Sequence, residues 1–329
     1  MAPDRTEVHI NPSDIRIDHQ AKILMLGSCF TEYIGEHLEQ LKFDVDINPF
    51  GILYNPLSVH KSLEILLEGK AYTRNDLFHH NGLWLSFDHH SRFSDPDPDT
   101  CLDKINNRLG KSMAHLRKTD VLVLTFGTAW SYVLEGTSRI VSNCHKLPAG
   151  NFDRFHLNPN QVFDYYYALI ATLLENNPKL RIILTVSPVR HWKDGPVENT
   201  LSKSVLIISI HRLVEHFRAV EYFPAFEIAI DDLRDYRYYA DDLVHPNNQM
   251  INYIWDKFSQ AYFRPDTMQV IADLEKIVIA RKHKAFQPES DEHQKFLKSQ
   301  IEKIRSLKEK YPFLDLDEEE HSFKKALLK

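Results

Sequence analysis

The chain has 329 residues, 43% of them apolar, which is enough to bury a large core in one sizeable domain with room for insertions or an appendage. Its 40 Lys and Arg against 46 Asp and Glu give a formal charge of −6, which argues against nucleic acid or an anionic membrane as principal partner. Cysteines stand only at 29, 101 and 144, too few and too odd for a disulfide framework, so thiol chemistry stays open. The polar Met1-Ala2-Pro3-Asp4-Arg5 start lacks the apolar stretch of a secretory signal and no later run is long enough for a span, so the expectation is a cytoplasmic protein.

In chain order, Lys22 to Leu26 reads as a first strand running into Gly27-Ser28-Cys29-Phe30, and Ile34, Leu38 and Leu41 then recur at helical spacing. Phe43 to Ile47 reads as a second strand ending at Asn48-Pro49-Phe50-Gly51. Asn55-Pro56 is an N-cap with proline at the first helical position, followed by Leu57, Leu63 and Leu66. Residues from about 70 to 100, with His79-His80, His89-His90 and Asp95-Pro96-Asp97-Pro98-Asp99, read as an insertion. Leu102, Ile105, Leu109, Met113 and Leu116 mark the next helix. Val121 to Phe126 is apolar at nearly every position, the pattern of a central strand buried on both faces.

A second irregular stretch, about 128–160, contains Asn143-Cys144-His145-Lys146. Val162, Tyr166, Leu169 and Leu173 then mark a helix, Arg181 to Val186 a strand, and Ser187-Pro188-Val189-Arg190-His191 the loop after it. Leu206, Ile210, Leu213 and Phe217 form another helical stripe. Glu221 to Ile228 is expected as a proline-interrupted edge strand. Asp241-Asp242-Leu243-Val244-His245-Pro246-Asn247 precedes a helix bearing Ile251, Ile254 and Phe258. From 265 to 329 the composition turns to charged helix, whose stripe of Leu297, Ile301 and Ile304 must cover either the main domain or another subunit. The alternation predicts an α/β fold: a three-layer α/β/α sandwich on a mostly parallel sheet of about five strands over 1–264, with a helical C-terminal extension.

Ligands in open α/β sheets gather outside the carboxyl ends of the strands, and four unusual polar runs begin at such ends here: 27–29, 48–51, 127–128 and 187–191. A nucleophile at the 27–29 turn would gain from the helix N-terminus and from backbone N–H groups able to hold an oxyanion. Its base and orienting carboxylate are expected at His245 and Asp242, with Asp241 the less suitable acid by spacing. The nucleophile is Cys29 or Ser28. One or two of the paired imidazoles, His90 among them, and residues of the 143–146 run, including His145, are expected to line the pocket. Arg190 and His191 could meet a phosphate or carboxylate of the substrate, or lie on the surface of their loop. The histidine pairs lack a metal-ligand spacing, so no metal is expected.

Gly27-Ser28-Cys29-Phe30-Thr31 after an apolar strand, with Asp242-Leu243-Val244-His245-Pro246-Asn247 near the domain's end, resembles the first and last blocks of SGNH (GDSL-type) hydrolases. Within that superfamily the chain most resembles the GSCFA family, to which Asn48-Pro49-Phe50-Gly51, Gly127-Thr128-Ala129-Trp130, Asn143-Cys144-His145-Lys146 and Ser187-Pro188-Val189 are also similar. The resemblance implies an SGNH-hydrolase or flavodoxin-like sheet, Cys29 in the nucleophile's place, and Asp242 and His245 as acid and base. It also implies Gly51 as an oxyanion-hole amide donor and Gly127 as the third-block glycine. Ala129 stands where such hydrolases carry an oxyanion-binding asparagine, and Thr128, Asn143 and Lys146 are the candidate substitutes.

The activity so implied is acyl-ester cleavage or acyl transfer on an O-acetylated carbohydrate or similar small ester. No cofactor is expected, apart from an acyl-CoA donor if the reaction is transfer, which a cysteine nucleophile favours by likeness to acyltransferases with Gly-Asn-Cys. The rival readings are a catalytically reduced protein that binds a glycan or acyl ligand, and an assembly protein forming homo-oligomers through its C-terminal helices.

Overall fold

The computed structural model describes residues 5–283 and 285–327. β1 (Lys22–Gly27) leads directly into α1 (Cys29–Gln40) and returns as β2 (Asp44–Ile47), and α2 (Pro56–Glu68) follows with Asn55 Oδ1 capping the Ser58 N–H at 2.9 Å. A short hairpin, β3 (Phe78–His80) and β4 (Leu83–Leu85), precedes α3 (Pro98–Leu116) and β5 (Val121–Phe126). Then come β6 (Trp130–Leu134), β7 (Ile140–Val141) and β8 (Phe152–His156), α4 (Pro159–Asn176), β9 (Arg181–Val186), α5 (Gly195–His216) and β10 (Val220–Phe223). The short α6 (Ala225–Glu227) opens the last third, which holds α7 (Asn248–Tyr262), α8 (Pro265–Lys282), α9 (Asp291–Lys310) and α10 (Asp317–Lys325).

Five strands form one parallel sheet in the order β10-β9-β5-β1-β2. This is the doubly wound arrangement expected from the sequence, with its crossing point between β1 and β5. Period-two alternation divides the strands' side chains between two cores. Leu24, Leu26, Leu122 and Leu124 face α2 to α5. Ile23, Met25, Val121 and Val123 face α1 and α7. That second cluster continues without a break into Ile271 and Leu274 of α8, Leu297, Ile301 and Ile304 of α9 and Phe323 of α10, so the apolar stripe of the C-terminal helices is buried within the chain.

Two stretches differ from expectation. The run Glu221 to Ile228 is strand only to Phe223; Pro224 cannot donate to the ladder, and the chain coils into α6 and a π-turn at Ile228–Asp232. The 128–160 insertion is not irregular but carries an antiparallel sheet, β7-β6-β8. Its pairing is held by cross-strand aromatics, with Trp130 opposite His156 at a centroid distance of 4.9 Å and the Arg154 guanidinium 3.9 Å over the Trp130 ring.

Gly27 ends β1 at φ +147°, and a Cβ there would overlap the Thr125 carbonyl of β5. Backbone strain and overlap combine at this position. Gly27→Ala is therefore expected to lower stability by about 3 kcal/mol, measured by urea unfolding; a loss within about 0.5 kcal/mol, the range of an ordinary surface change, would contradict this packing.

Candidate active site

The turn after β1 places Ser28 as the N-cap of α1 and Cys29 as its first residue. Ser28 donates its N–H to the Thr125 carbonyl at 3.2 Å, and its Oγ is buried without a partner. Cys29 is half-buried and free. Burial pushes its thiol pKa up; the N–H groups of Phe30 and Cys29 itself pull the other way, as does the Lys203 ammonium. Those amides belong to the first helical turn, which has no preceding helical carbonyl to accept them.

His245 is set by a turn that bonds to itself. Ala240 N–H donates to the His245 carbonyl at 2.8 Å, Leu243 N–H donates to Ala240 at 2.9 Å with Leu243 at φ +59°, and Asn247 caps α7 through the N–H groups of Gln249 and Met250. Asp242 Oδ1 accepts the N–H groups of His245 and Val244 at 2.9 and 3.0 Å, while Oδ2 lies 2.6 Å from His245 Nδ1. These bonds hold the Asp242 carboxyl down to about 2, the two backbone amides first among the causes. The carboxylate therefore fixes the ring through Nδ1 and leaves Nε2 as the nitrogen able to exchange a proton with a neighbour.

Ser28, Cys29 and His245 line one cavity of about 210 Å³ with Tyr54, Gly127, Ser187, Val189, Arg190 and His191. Arg190 is shared with a neighbouring cavity of about 420 Å³, whose wall includes Trp192, Tyr236, Tyr239 and Asp242 to Val244. The Arg190 Nε is buried without a partner, and among the described residues the side chain makes no ion pair.

The amide expected of Gly51 is not available to an oxyanion, because it donates to the Asn48 carbonyl at 2.8 Å. Gly51 instead turns the chain at φ +82°, against the His90 Cβ. His90 thus packs behind the turn, with burial lowering its pKa. Gly127 lines the cavity, but its N–H donates to the Tyr54 carbonyl at 2.7 Å. Thr128 is turned away: its hydroxyl meets Ser202 Oγ at 3.0 Å and accepts the Trp130 N–H at 3.2 Å. Asn143 Oδ1 caps the His145 N–H at 2.8 Å, and Lys146 points to solvent. His145 joins the two insertions, its Nε2 2.8 Å from the Ser86 carbonyl and its Nδ1 3.3 Å from Ser91 Oγ. None of Thr128, Asn143 and Lys146 lines the cavity that holds Cys29, so none supplies the donor missing at Ala129.

Two more residues belong to the site: His191, which the sequence offered with Arg190 as a substrate contact, and Lys203, which it did not. His191 sits in the cavity edge-on to Tyr54 at 5.4 Å, and burial, aided by Lys203, pushes its pKa down to about 4. Neither ring nitrogen has a hydrogen-bond partner among the described residues, and Nε2 points toward Gly127. A neutral imidazole in that position can donate one N–H into the cavity. Lys203 of α5 is 1% exposed and donates its Nζ to the Ser187 carbonyl at 2.7 Å. The helical stripe Leu206, Ile210, Leu213 extends backward onto Lys203, which was the available signal: a cation on a buried face. Among the described residues, no group of three or more His, Cys, Asp or Glu side chains is arranged to hold a metal ion. No helix there is long and apolar enough to cross a membrane.

The GSCFA family model matches residues 22–258, and the model described as GSCFA domain protein, C-terminal domain, matches residues 274–329. No curated protein matches the chain. Among solved structures, one from Streptococcus pneumonia described as a candidate platelet activating factor is 15% identical at a TM-score of 0.35, over 72% of this chain and 83% of that one. A carbohydrate esterase family 3 structure from Talaromyces cellulolyticus is 13% identical at a TM-score of 0.34, over 77% and 99%.

Carboxyl-carbon NMR should find Asp242 titrating near 2, against about 3.9 for an ordinary aspartate. In His245→Ala it should stay below the ordinary range, because two backbone N–H donors remain. The depressed value means that the turn's support is complete above the ordinary carboxyl pKa and lost as pH falls through about 2. An ordinary titration in the wild type would contradict the capped geometry.

Proposed function

From the premise that the chain belongs to the GSCFA family, we propose that it is an acyl-transferring enzyme in which Cys29 attacks an ester or thioester carbonyl. The observation that carries this reading is the single cavity lined by Cys29 and His245, with Asp242 2.6 Å behind the imidazole.

The Cys29 thiol is predominantly neutral at rest, since burial raises it, so a base must take its proton as the sulfur attacks. His245 does so through Nε2, and Asp242 holds the tautomer and stabilises the resulting imidazolium. The tetrahedral intermediate's oxyanion lies toward the first turn of α1, where the Cys29 N–H can reach it, and toward His191, whose neutral ring takes the place of the absent asparagine. His245 then returns the proton to the leaving oxygen or sulfur. A thioacyl-enzyme remains, which water or an acceptor hydroxyl resolves.

The adjoining cavity gives the leaving or accepting group its place. Trp192 and Tyr236 are 55% and 72% exposed and offer flat apolar faces suited to a sugar ring, and the unpaired Arg190 guanidinium offers a planar fork to a carboxylate or phosphate. We therefore favour a small O-acylated carbohydrate as substrate or acceptor, with an acyl-CoA as donor if the reaction is transfer.

Exposure to 4-nitrophenyl acetate should add one acetyl group to the wild-type chain, read by intact mass. Cys29→Ala should lose it, and Ser28→Ala should keep it. His245→Ala should slow acylation by about 10²- to 10⁴-fold, and His191→Phe by about 10²-fold. An adduct that survives Cys29→Ala would overturn the assignment. Saccharide binding without any adduct would favour a protein that has kept the pocket and lost turnover.

A further inference from the structure

Among the described residues Lys203 is the one fully buried lysine or arginine, and the carbonyl that its Nζ meets belongs to Ser187, which lines the same cavity as Cys29. Its Nζ donates to the Ser187 carbonyl and stands 5.4 Å from the Phe226 ring, and no carboxylate lies within ion-pairing distance among the described residues. An ammonium buried with one hydrogen bond and no counter-ion is costly. The charged and titratable groups that act on it come from several elements: Cys29 at the start of α1, Arg190 and His191 in the loop after β9, and Glu227 on α6. Arg190 repels it. Glu227 acts on it less than Cys29 does and is engaged by the Tyr222 hydroxyl at 2.7 and 2.9 Å. Cys29 is the group able to become an anion whose charge bears most on Lys203.

We propose that Lys203 is the fixed counter-charge of the Cys29 thiolate, a positioning residue that makes this cysteine a nucleophile in a site otherwise hostile to its anion. The inference rests on the reading of Cys29 as nucleophile, but it concerns the ionisation of the thiol and can be tested without any substrate. When the S–H bond breaks, the proton passes to His245 and the sulfur keeps the electron pair beside the ammonium. Attack forms the S–C bond; collapse of the intermediate breaks the bond to the leaving oxygen or sulfur, which takes the proton from His245. Lys203 keeps its own proton throughout the reacting form. Burial, outweighing the opposing pull of Cys29, brings Lys203 down to about 7, so each group supports the other's charge and the two ionise as a pair.

The test is the rate at which iodoacetamide alkylates Cys29 between pH 6 and pH 9, resolved by peptide mass, with Cys101 and Cys144 as internal references. Below the thiol's pKa the rate follows the thiolate fraction, so each unit of upward shift slows it tenfold at fixed pH. Lys203→Met and Lys203→Gln should each slow Cys29 by about tenfold or more across this range and leave the other two cysteines unchanged. An unaltered Cys29 profile in either variant that keeps its melting transition overturns the proposal. A second measurement leaves Lys203 in place. In Arg190→Gln, the iodoacetate-to-iodoacetamide rate ratio at Cys29 should exceed that of glutathione several-fold, because a buried cation draws the anionic reagent; a ratio no higher than glutathione's overturns it equally. Should acylation by 4-nitrophenyl acetate fail while both alkylation results hold, the enzymatic reading falls and the Lys203–Cys29 pairing stands.

Discussion

The close approach of β1 to β5 at Gly27 is the constraint from which the site follows. Because no Cβ fits between Gly27 and the Thr125 carbonyl, the chain can leave the sheet there at a sharp angle, and α1 begins within two residues. The Gly27 N–H donates to Asn48 Oδ1 at 2.9 Å, and Asn48 N–H donates to the Met25 carbonyl at 2.8 Å, so the turns after β1 and β2 are fixed to each other. The Tyr54 carbonyl, taking the Gly127 and Thr128 N–H groups, adds the turn after β5 to the same frame. Parallel strands bring these ends to one edge of the sheet; the hydrogen bonds between the turns set how far apart the side chains stand.

The electrostatics of that edge are unusual in sign. Burial lowers His191 to about 4 and Lys203 to about 7, and it raises the Cys29 thiol, so each group resists carrying charge alone. A cavity of this kind is poised for charge to appear in balanced pairs. In the reaction proposed above, proton transfer from Cys29 to His245 would create an anion beside Lys203 and a cation beside the ionised Asp242, so both new charges would be matched where they form. A solvated site could supply neither match at this strength.

Much of the scaffold was legible because its signals are local. Unbroken apolar runs such as Val121 to Phe126 and helical stripes such as Val162, Tyr166, Leu169 and Leu173 report burial on both or one face whatever the rest of the chain does. The Asp242 to His245 spacing was readable for the same reason, since a capped turn is a local object. The misreadings differ in origin. The Gly127 amide is taken by Tyr54, a partner far back in the chain that nothing nearby reveals, whereas the Gly51 amide is taken by Asn48 and the Asn143 side chain by His145 within their own turns, where local turn chemistry competes with any role toward a ligand. His191 could be read as a substrate contact or as a surface loop residue, because Tyr54, which packs against it, stands more than a hundred positions earlier. The antiparallel β7-β6-β8 sheet was missed because its strands are short and Gly136 and Pro148 interrupt the alternation.

The choice between Ser28 and Cys29 turns on geometry more than on intrinsic reactivity. Ser28 is 1% exposed, occupies the cap position of α1, and among the described residues its hydroxyl has no hydrogen-bond partner. Cys29 lies one step into the helix, half-buried, with two amides of the first turn directed at its sulfur. Those amides and the Lys203 ammonium lower the thiol pKa that burial raises. An imidazole such as His245 could serve either group as base, since a serine gives up its proton only as it attacks; a thiol differs in that its anion can form beforehand and gain from a fixed positive charge. On the proposed reading, the cation on the buried face of α5 is therefore the feature that favours a thiol over a hydroxyl.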